Sequence, residues 1–142
     1  MALIKVKLRI KSVINGTDEP TPEIAEEECF GVMRCAEDGG AERVSYKSTN
    51  GDGTKTESVI EFFDGAIRLL RHGAIESNML FEVGVEHRSL YKIPPFSFDL
   101  TVNTSRIENS FSSLGGTLTL EYSMTVGGAE RKCSMTVTAE PI

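Results

Sequence analysis

The last quarter of the chain, residues 116–139, constrains the fold more than any other stretch. From Thr117 to Val126 apolar and polar residues alternate strictly, and the same period of two returns from Cys133 to Thr138. A period of two with one apolar face predicts strands that are buried on one side only. Between the two runs, Gly127-Gly128 can adopt the positive φ that a tight hairpin turn requires. The sequence therefore predicts an antiparallel β protein with a single apolar interior.

Alternating stretches recur about every ten to twelve residues, a rhythm typical of a β-sandwich or a β-barrel. The proline- and carboxylate-rich residues 15–26 predict a surface loop. Short helical turns could fit only at residues 25–29 and 106–114. The predicted strands before the final hairpin run at about residues 3–14, 27–37, 42–48, 58–63, 66–71, 74–83, 86–91 and 96–103.

Length and charge exclude several classes of protein. A chain of 142 residues fits one domain, residues 1–142. The net charge of −6 disfavours broad binding to nucleic acid or to an anionic membrane. No apolar run approaches the ~20 residues of a membrane span, and the N-terminal residues alternate too regularly for a signal peptide. We expect neither a nucleic acid nor a membrane as partner.

Three cysteines, Cys29, Cys35 and Cys133, form an odd set without the CxxC spacing. Their neighbours are apolar or strand-like, which favours free and partly buried thiols. Free thiols fit a reducing compartment, so the sequence favours a cytoplasmic location.

The first predicted strand carries a basic stripe, with Lys5, Lys7, Arg9 and Lys11 on one face. Such a stripe is either a track for an anion or RNA, or a solvated strand face. A single strand without interleaved aromatic residues is a poor platform for RNA. The sequence therefore favours the solvated face.

No residue constellation points to catalysis. The two histidines, His72 and His87, have no second histidine or cysteine at the spacing of metal ligands, so no metal and no cofactor are expected. Asp99 and Glu121 lie in the polar phase of their strands and should face water, where a carboxylate is a poor general acid. The sequence nominates no nucleophile, and we do not expect an enzyme.

The chain contains a set of short motifs: Lys11-Ser12-Val13-Ile14, Arg71-His72-Gly73-Ala74, Met79, Phe81, Gly84, Tyr91-Lys92, Leu100, Thr104, Ile107, Glu121 to Gly127 and Met135-Thr136. These motifs resemble the YwiB-like proteins, a bacterial family of unknown function. The resemblance implies a calycin-like (lipocalin-like) β-barrel and no reaction, substrate or catalytic residue. The chain departs from the family pattern at Pro95-Phe96, where an aromatic-Gly pair is common, and at Ser123, where an acidic residue is frequent.

Together, pattern and resemblance predict an all-β fold, a single antiparallel barrel of about 8–10 strands. A barrel of this size encloses either packed side chains or one small ligand. The apolar phase of the strands could line a pocket or simply fill the barrel, and the pattern leaves both open. Its candidate ligand-binding side chains are Met79, Phe81, Phe98, Tyr122, Met124 and Met135.

Arg71 is the polar candidate for the same site. It is in phase with Ile67 and Leu69, which would turn its guanidinium inward, where a cation needs a partner. Glu61 is one conceivable partner and a ligand carboxylate is another; the third possibility is a solvated Arg71 at the rim. We expect non-enzymatic binding of a small apolar or amphipathic anionic ligand, and the alternative is a packed barrel that binds another protein. The sequence does not address the oligomeric state.

Overall fold

The computed structural model of the chain describes residues 2–16, 21–49 and 52–142. The described residues form ten strands and no helix, so none of their segments is a helix that could cross a membrane. The strands are β1 (Ala2–Gly16), β2 (Glu23–Cys35), β3 (Ala41–Thr49), β4 (Lys55–Phe63), β5 (Ala66–Gly73), β6 (Glu76–Phe81), β7 (Glu86–Ile93), β8 (Phe96–Asn109), β9 (Gly116–Val126) and β10 (Ala129–Pro141).

The ten strands close into one antiparallel barrel in which each strand pairs with its neighbours in sequence. Pairing of β1 with β10, from Val6 opposite Pro141 to Gly16 opposite Arg131, completes the ring. This closure covers the edges that the first and last strands would otherwise expose and that promote aggregation. The prediction of a single antiparallel β-barrel is confirmed.

The start of β2 differs from the sequence prediction. Residues 23–26, assigned to a loop, belong to β2 and pair with β1, while residues 17–20 of that loop lie outside the described part of the chain. Glu26 and Glu28 face outward beside the basic stripe of β1. Arg9 Nε lies 3.0 Å from Glu28 Oε1, and Lys11 Nζ lies 3.8 Å from Glu26 Oε1. Cross-strand charge pairing explains why so many carboxylates fit into a strand.

Two segments where the sequence allowed short helical turns form extended strands instead, the second of them in part. Residues 25–29 belong to β2, and residues 106–109 belong to β8, which has a bulge between Thr104 and Arg106. The bulge places one extra residue, Ser105, in β8 opposite β9. This irregularity interrupts the alternation, which is why the sequence pattern was ambiguous there.

The apolar core fills the barrel toward the end where β2–β3, β4–β5, β6–β7 and β8–β9 turn. Phe111, from the β8–β9 connection, caps this end and packs against Phe62 with ring centroids 5.1 Å apart. Gly31 permits close packing of β2, because a Cβ there would lie 2.6 Å from the Ser45 carbonyl oxygen. The fully buried core side chains are Val6, Leu8, Met33, Val44, Ile60, Leu69, Phe81, Leu100, Val102, Leu118, Leu120 and Val137.

The register of the final hairpin agrees with the predicted phase. Leu120 lies opposite Met135 and both are buried, whereas Thr119 lies opposite Thr136 on the outer face. Toward the Gly127-Gly128 turn, Tyr122 and Met124 in the same inward phase become half-buried. The barrel is therefore packed at one end and opens toward the other.

Candidate functional site

The open end of the barrel, which we call the mouth, contains a pocket of about 290 Å³. It lies where β1–β2, β3–β4 and β5–β6 connect, opposite the packed end. Nearly all of its wall consists of side chains in the inward phase of β1 to β5, so the pocket belongs to the barrel interior. The lining residues are Ile10, Ser12, Ala25, Glu26, Glu27, Tyr46, Ser48, Thr56, Ser58, Arg71 and Ile75.

Arg71 points into this pocket. Its neighbours in phase on β5, Ile67 and Leu69, are buried, and Arg71 itself is half-buried. In the barrel ladder it lies directly between Ser58 of β4 and Ser77 of β6. Among the described residues no carboxylate lies within ion-pair distance of its guanidinium. The inward orientation predicted from the sequence is therefore present, with the cation unpaired by the described part of the protein.

The suggestion that Glu61 pairs with Arg71 is wrong. Glu61 lies opposite Arg68 in the β4–β5 ladder and faces the outside of the barrel, and its Oε1 is 3.6 Å from Arg68 Nη1. Adjacent residues of a strand point to opposite faces, and Glu61 follows the buried Ile60. Glu61 shares its phase with Val59 and Phe63, which is the outer phase of β4.

Two tyrosines flank the guanidinium. Burial raises the pKa of Tyr46, although the Arg71 charge opposes the shift. Burial likewise raises the pKa of Tyr122, whose ring packs edge-on against Phe81 with centroids 4.8 Å apart. Both phenols keep their protons at neutral pH and remain potential hydrogen-bond donors.

Ser77 adds an unsatisfied polar group beside Arg71. The side chain is only 8% exposed, and its Oγ has no hydrogen-bond partner in the structure. Ser77 shares its phase in the sequence with the apolar residues Ile75, Met79, Phe81 and Val83. In the structure Ser77 is one of the inward residues of β6, whereas Val83 is exposed.

The other predicted site residues separate into two groups. Met79, Phe81 and Met135 lie in the packed core, beneath the mouth. Tyr122 and Met124 are half-buried at the boundary between core and mouth, and Phe98 is 39% exposed. Phe98 is connected to Arg71 by successive cross-strand pairs. Arg71 of β5 lies opposite Ser77 of β6, which lies opposite Tyr91 of β7, and Tyr91 lies opposite Phe98 of β8. The structure thus brings Arg71, Tyr122, Met124 and Phe98 toward one end.

Two charged residues of the mouth were missed. Glu27 lines the same pocket as Arg71, and its Oε1 accepts a 3.0 Å hydrogen bond from Ser48. Arg131 is exposed in the inward phase of β10, where its charge acts on Cys133. Glu27 shares a phase with the buried Met33 and Cys35, a signal that could have been found by extending the alternation of β2 toward the N-terminus.

The described residues contain no group of three or more His, Cys, Asp and Glu side chains that could hold a metal ion. Each histidine lies beside a glutamate near a turn, His72 Nδ1 at 3.2 Å from Glu76 and His87 Nε2 at 3.0 Å from Glu82. Neither histidine lines the mouth pocket. The chemistry that the mouth offers is a cation, carboxylates, hydroxyl donors and apolar walls.

A family model described as "Domain of unknown function (DUF1934)" matches residues 8–137, a range that reaches from β1 to β10. The chain belongs to this family. It is 25% identical over 136 residues to the "Uncharacterized beta-barrel protein YwiB" of Bacillus subtilis (strain 168), covering 95% of this chain and 92% of that protein. The resemblance to the YwiB-like family is confirmed.

A solved structure of the DUF1934 relative has the same fold. The "Crystal structure of ywiB protein from Bacillus subtilis" aligns with a TM-score of 0.85 over 99% of this chain and 93% of that chain, at 24% identity. Because the family model spans residues 8–137, Glu27, Arg71 and Ser77 all lie within the DUF1934 region.

Proposed function

We propose that this barrel is a non-enzymatic binding protein whose mouth holds a small amphipathic ligand by an anionic group. The observation that carries the proposal is Arg71: a half-buried side chain in the mouth pocket, without a carboxylate partner among the described residues. A cation withdrawn from water loses hydration energy unless an anion and hydrogen bonds replace it. A ligand carboxylate or phosphate would supply both.

Hydroxyl groups around Arg71 support an anionic ligand. Ser58 and Ser77 are its direct neighbours across the ladder, and the Ser77 Oγ lacks a partner. A carboxylate can accept two parallel hydrogen bonds from a guanidinium and has lone pairs left for hydroxyl donors. The anionic group would therefore accept from Ser58, which lines the pocket, as well as from Arg71.

Apolar side chains around the mouth support an apolar portion of the ligand. Ile10 and Ile75 line the pocket, and Met124 and Phe98 stand at the same open end. Ligand pockets commonly combine such apolar walls with a few polar groups that fix orientation. The packed core below, which includes Met79, Phe81 and Met135, would form the floor rather than the binding surface. A cytoplasmic location is part of the proposal, since Cys29, Cys35 and Cys133 are free thiols.

A second candidate function is a protein-binding module. Phe30 on the outer face of β2 is 70% exposed, and together with Val32 and Val59 it borders a groove of about 380 Å³. Exposed apolar surface of this kind is frequent at protein interfaces. We rank this function second because Lys47 and Glu57, the charged residues of the outer groove, pair with each other at 3.5 Å, whereas Arg71 has no carboxylate partner among the residues that the structure describes.

Calorimetric titration of hexanoate, octanoate and octyl phosphate against three variants tests the proposal. Arg71→Met should weaken binding by roughly 10- to 150-fold, the equivalent of about 1.5–3 kcal/mol for a charge-assisted hydrogen bond. Arg71→Lys should bind less tightly than wild type, because an ammonium cannot form the two parallel bonds. Arg68→Met, on the same strand but facing outward, is the matched control and should bind like wild type.

Equal affinity in wild type and Arg71→Met would refute the proposal. Native mass spectrometry of protein purified from its own host complements the titration, since a small molecule retained by the wild type and absent from Arg71→Met identifies the natural ligand. A protein-binding module would instead lose its partner on Phe30→Ser and keep it on Arg71→Met.

A further inference from the structure

Two of the three charged residues that line the mouth pocket, Glu27 and Arg71, have no ion-pair partner among the described residues, whereas the third, Glu26, pairs with Lys11. Glu27 comes from β2 and Arg71 from β5, with β3 and β4 between them. They do not form an ion pair within 4.0 Å. Tyr46 of β3 lies between the two strands, and the charges of Glu27 and Arg71 both act on its phenol, the first raising and the second lowering its pKa.

Glu27 differs from the other glutamates of the central part of β2. Glu26 and Glu28 face outward, and both have cationic partners on β1, namely Lys11 for Glu26 and Arg9 and Lys7 for Glu28. Glu27 lies in the inward phase, and no cation of the described residues lies within ion-pair distance of it. Its Oε1 accepts the Ser48 hydroxyl, and Oε2 has no hydrogen bond in the described part of the protein. One carboxylate oxygen is therefore available to a donor in the pocket.

We infer that the ligand is zwitterionic: a small amphipathic carboxylate that also has an ammonium group, with the carboxylate on Arg71 and the ammonium on Glu27. The inference rests on the proposed function, because it names the class of ligand that the same mouth takes. A ligand with only an anionic group would satisfy Arg71 but would lie in the repulsive field of Glu27. An amino carboxylate pairs both charges and leaves the pocket neutral.

Hexanoate and its amino derivatives are suitable probes, since they share a carboxylate and differ in the position of the amine. We would titrate hexanoate, 2-aminohexanoate, 4-aminohexanoate and 6-aminohexanoate against wild type, Glu27→Gln, Arg71→Met and the control Glu28→Gln. At least one amino isomer should bind wild type more tightly than hexanoate does. Glu27→Gln should weaken that isomer by about fivefold, the upper end for a solvent-exposed ion pair, and should leave hexanoate unchanged or tighter.

Glu28→Gln removes a neighbouring carboxylate that faces outward, so it should change neither the affinity for hexanoate nor that for the preferred amino isomer. This control separates the loss of a direct contact between Glu27 and the ligand from a general change in the charge of the protein. Circular dichroism of each variant confirms that the barrel is intact. If hexanoate binds wild type at least as tightly as every amino isomer, or if Glu27→Gln leaves the preferred isomer unaffected, the zwitterion inference is refuted while anion binding at Arg71 stands. If no carboxylate binds wild type, both proposals are refuted.

Discussion

At the scale of single residues, burial keeps the reactive side chains of the mouth protonated. Burial raises the pKa of Cys29 from 9.0 to about 11, and the neighbouring Glu27 charge adds to the shift. Burial also raises the pKa of Cys133 to about 11, despite the opposing charge of Arg131. The thiol form is inert as a nucleophile, so these cysteines are structural at neutral pH.

Alkylation by iodoacetamide should therefore require a higher pH in the folded protein than in the unfolded one. We expect denatured protein to release three reactive thiols that titrate near 9.0, and folded protein to react at Cys29 and Cys133 only as the pH approaches 11. The raised pKa values also stabilise the fold below pH 9, and this contribution is lost as the pH rises toward 11, because the unfolded thiols ionise first. Mass spectrometry of the alkylated peptides measures both states; rapid labelling of folded Cys133 at pH 8 would contradict the expectation.

At the scale of elements, the β1–β2 ladder gives the basic stripe a structural role. Lys7, Arg9 and Lys11 face Glu26 and Glu28 across the ladder. A solvated face was predicted from β1 alone, but its pairing with the acidic residues of β2 was not, because residues 23–26 looked like part of a loop. Strand propensity disfavours a run of glutamates, and only the partner strand explains it.

A double-mutant cycle on Arg9 and Glu28 should give a coupling free energy of about 0.2–1 kcal/mol that falls as salt is added, since both side chains are exposed. Urea denaturation of the single and double alanine variants provides the four free energies. A coupling free energy that exceeds this range and persists at high salt would mean that the two side chains are less exposed to solvent than they are in the structure.

The final hairpin offers a matched pair of variants on β9. Leu120 is 0% exposed and Thr119 faces outward, so Leu120→Ala should cost about 2–5 kcal/mol of unfolding free energy. Thr119→Ala should cost roughly 0.5 kcal/mol, or slightly more through strand propensity. Denaturant melts decide the ranking, and the reverse order would mean a register shifted by one residue.

At the scale of the whole molecule, local alternation predicted the strands and the inward face, while long-range pairing determined the site. The phase of Arg71 could be predicted from Ile67 and Leu69, because a period of two is a local property. Its neighbours Ser58 and Ser77 could not, because they depend on how β4 and β6 pair with β5. Glu27 lies across the mouth only because the barrel closes. The sequence thus predicts which side chains enter a barrel better than which of them meet there.

The unpaired Arg71 makes a specific prediction about stability. Had it formed a buried ion pair, Arg71→Met would strand a carboxylate and cost about 3–5 kcal/mol. Because Glu61 pairs instead with Arg68, Arg71→Met should leave the free energy of unfolding nearly unchanged, or raise it, while anion binding is lost.

Ser77→Ala is a parallel test at the residue of β6 that lies directly opposite Arg71. The Ser77 Oγ has no hydrogen-bond partner among the described residues, so its removal loses no bond seen there and relieves the cost of burying a hydroxyl. Thermal and urea denaturation of Arg71→Met, Ser77→Ala and the double variant should therefore give proteins at least about as stable as wild type. Such an outcome would indicate that the mouth is maintained at the expense of stability, as expected for a binding site. A loss of several kcal/mol in Arg71→Met would instead assign Arg71 a structural partner and remove the main support for a ligand there.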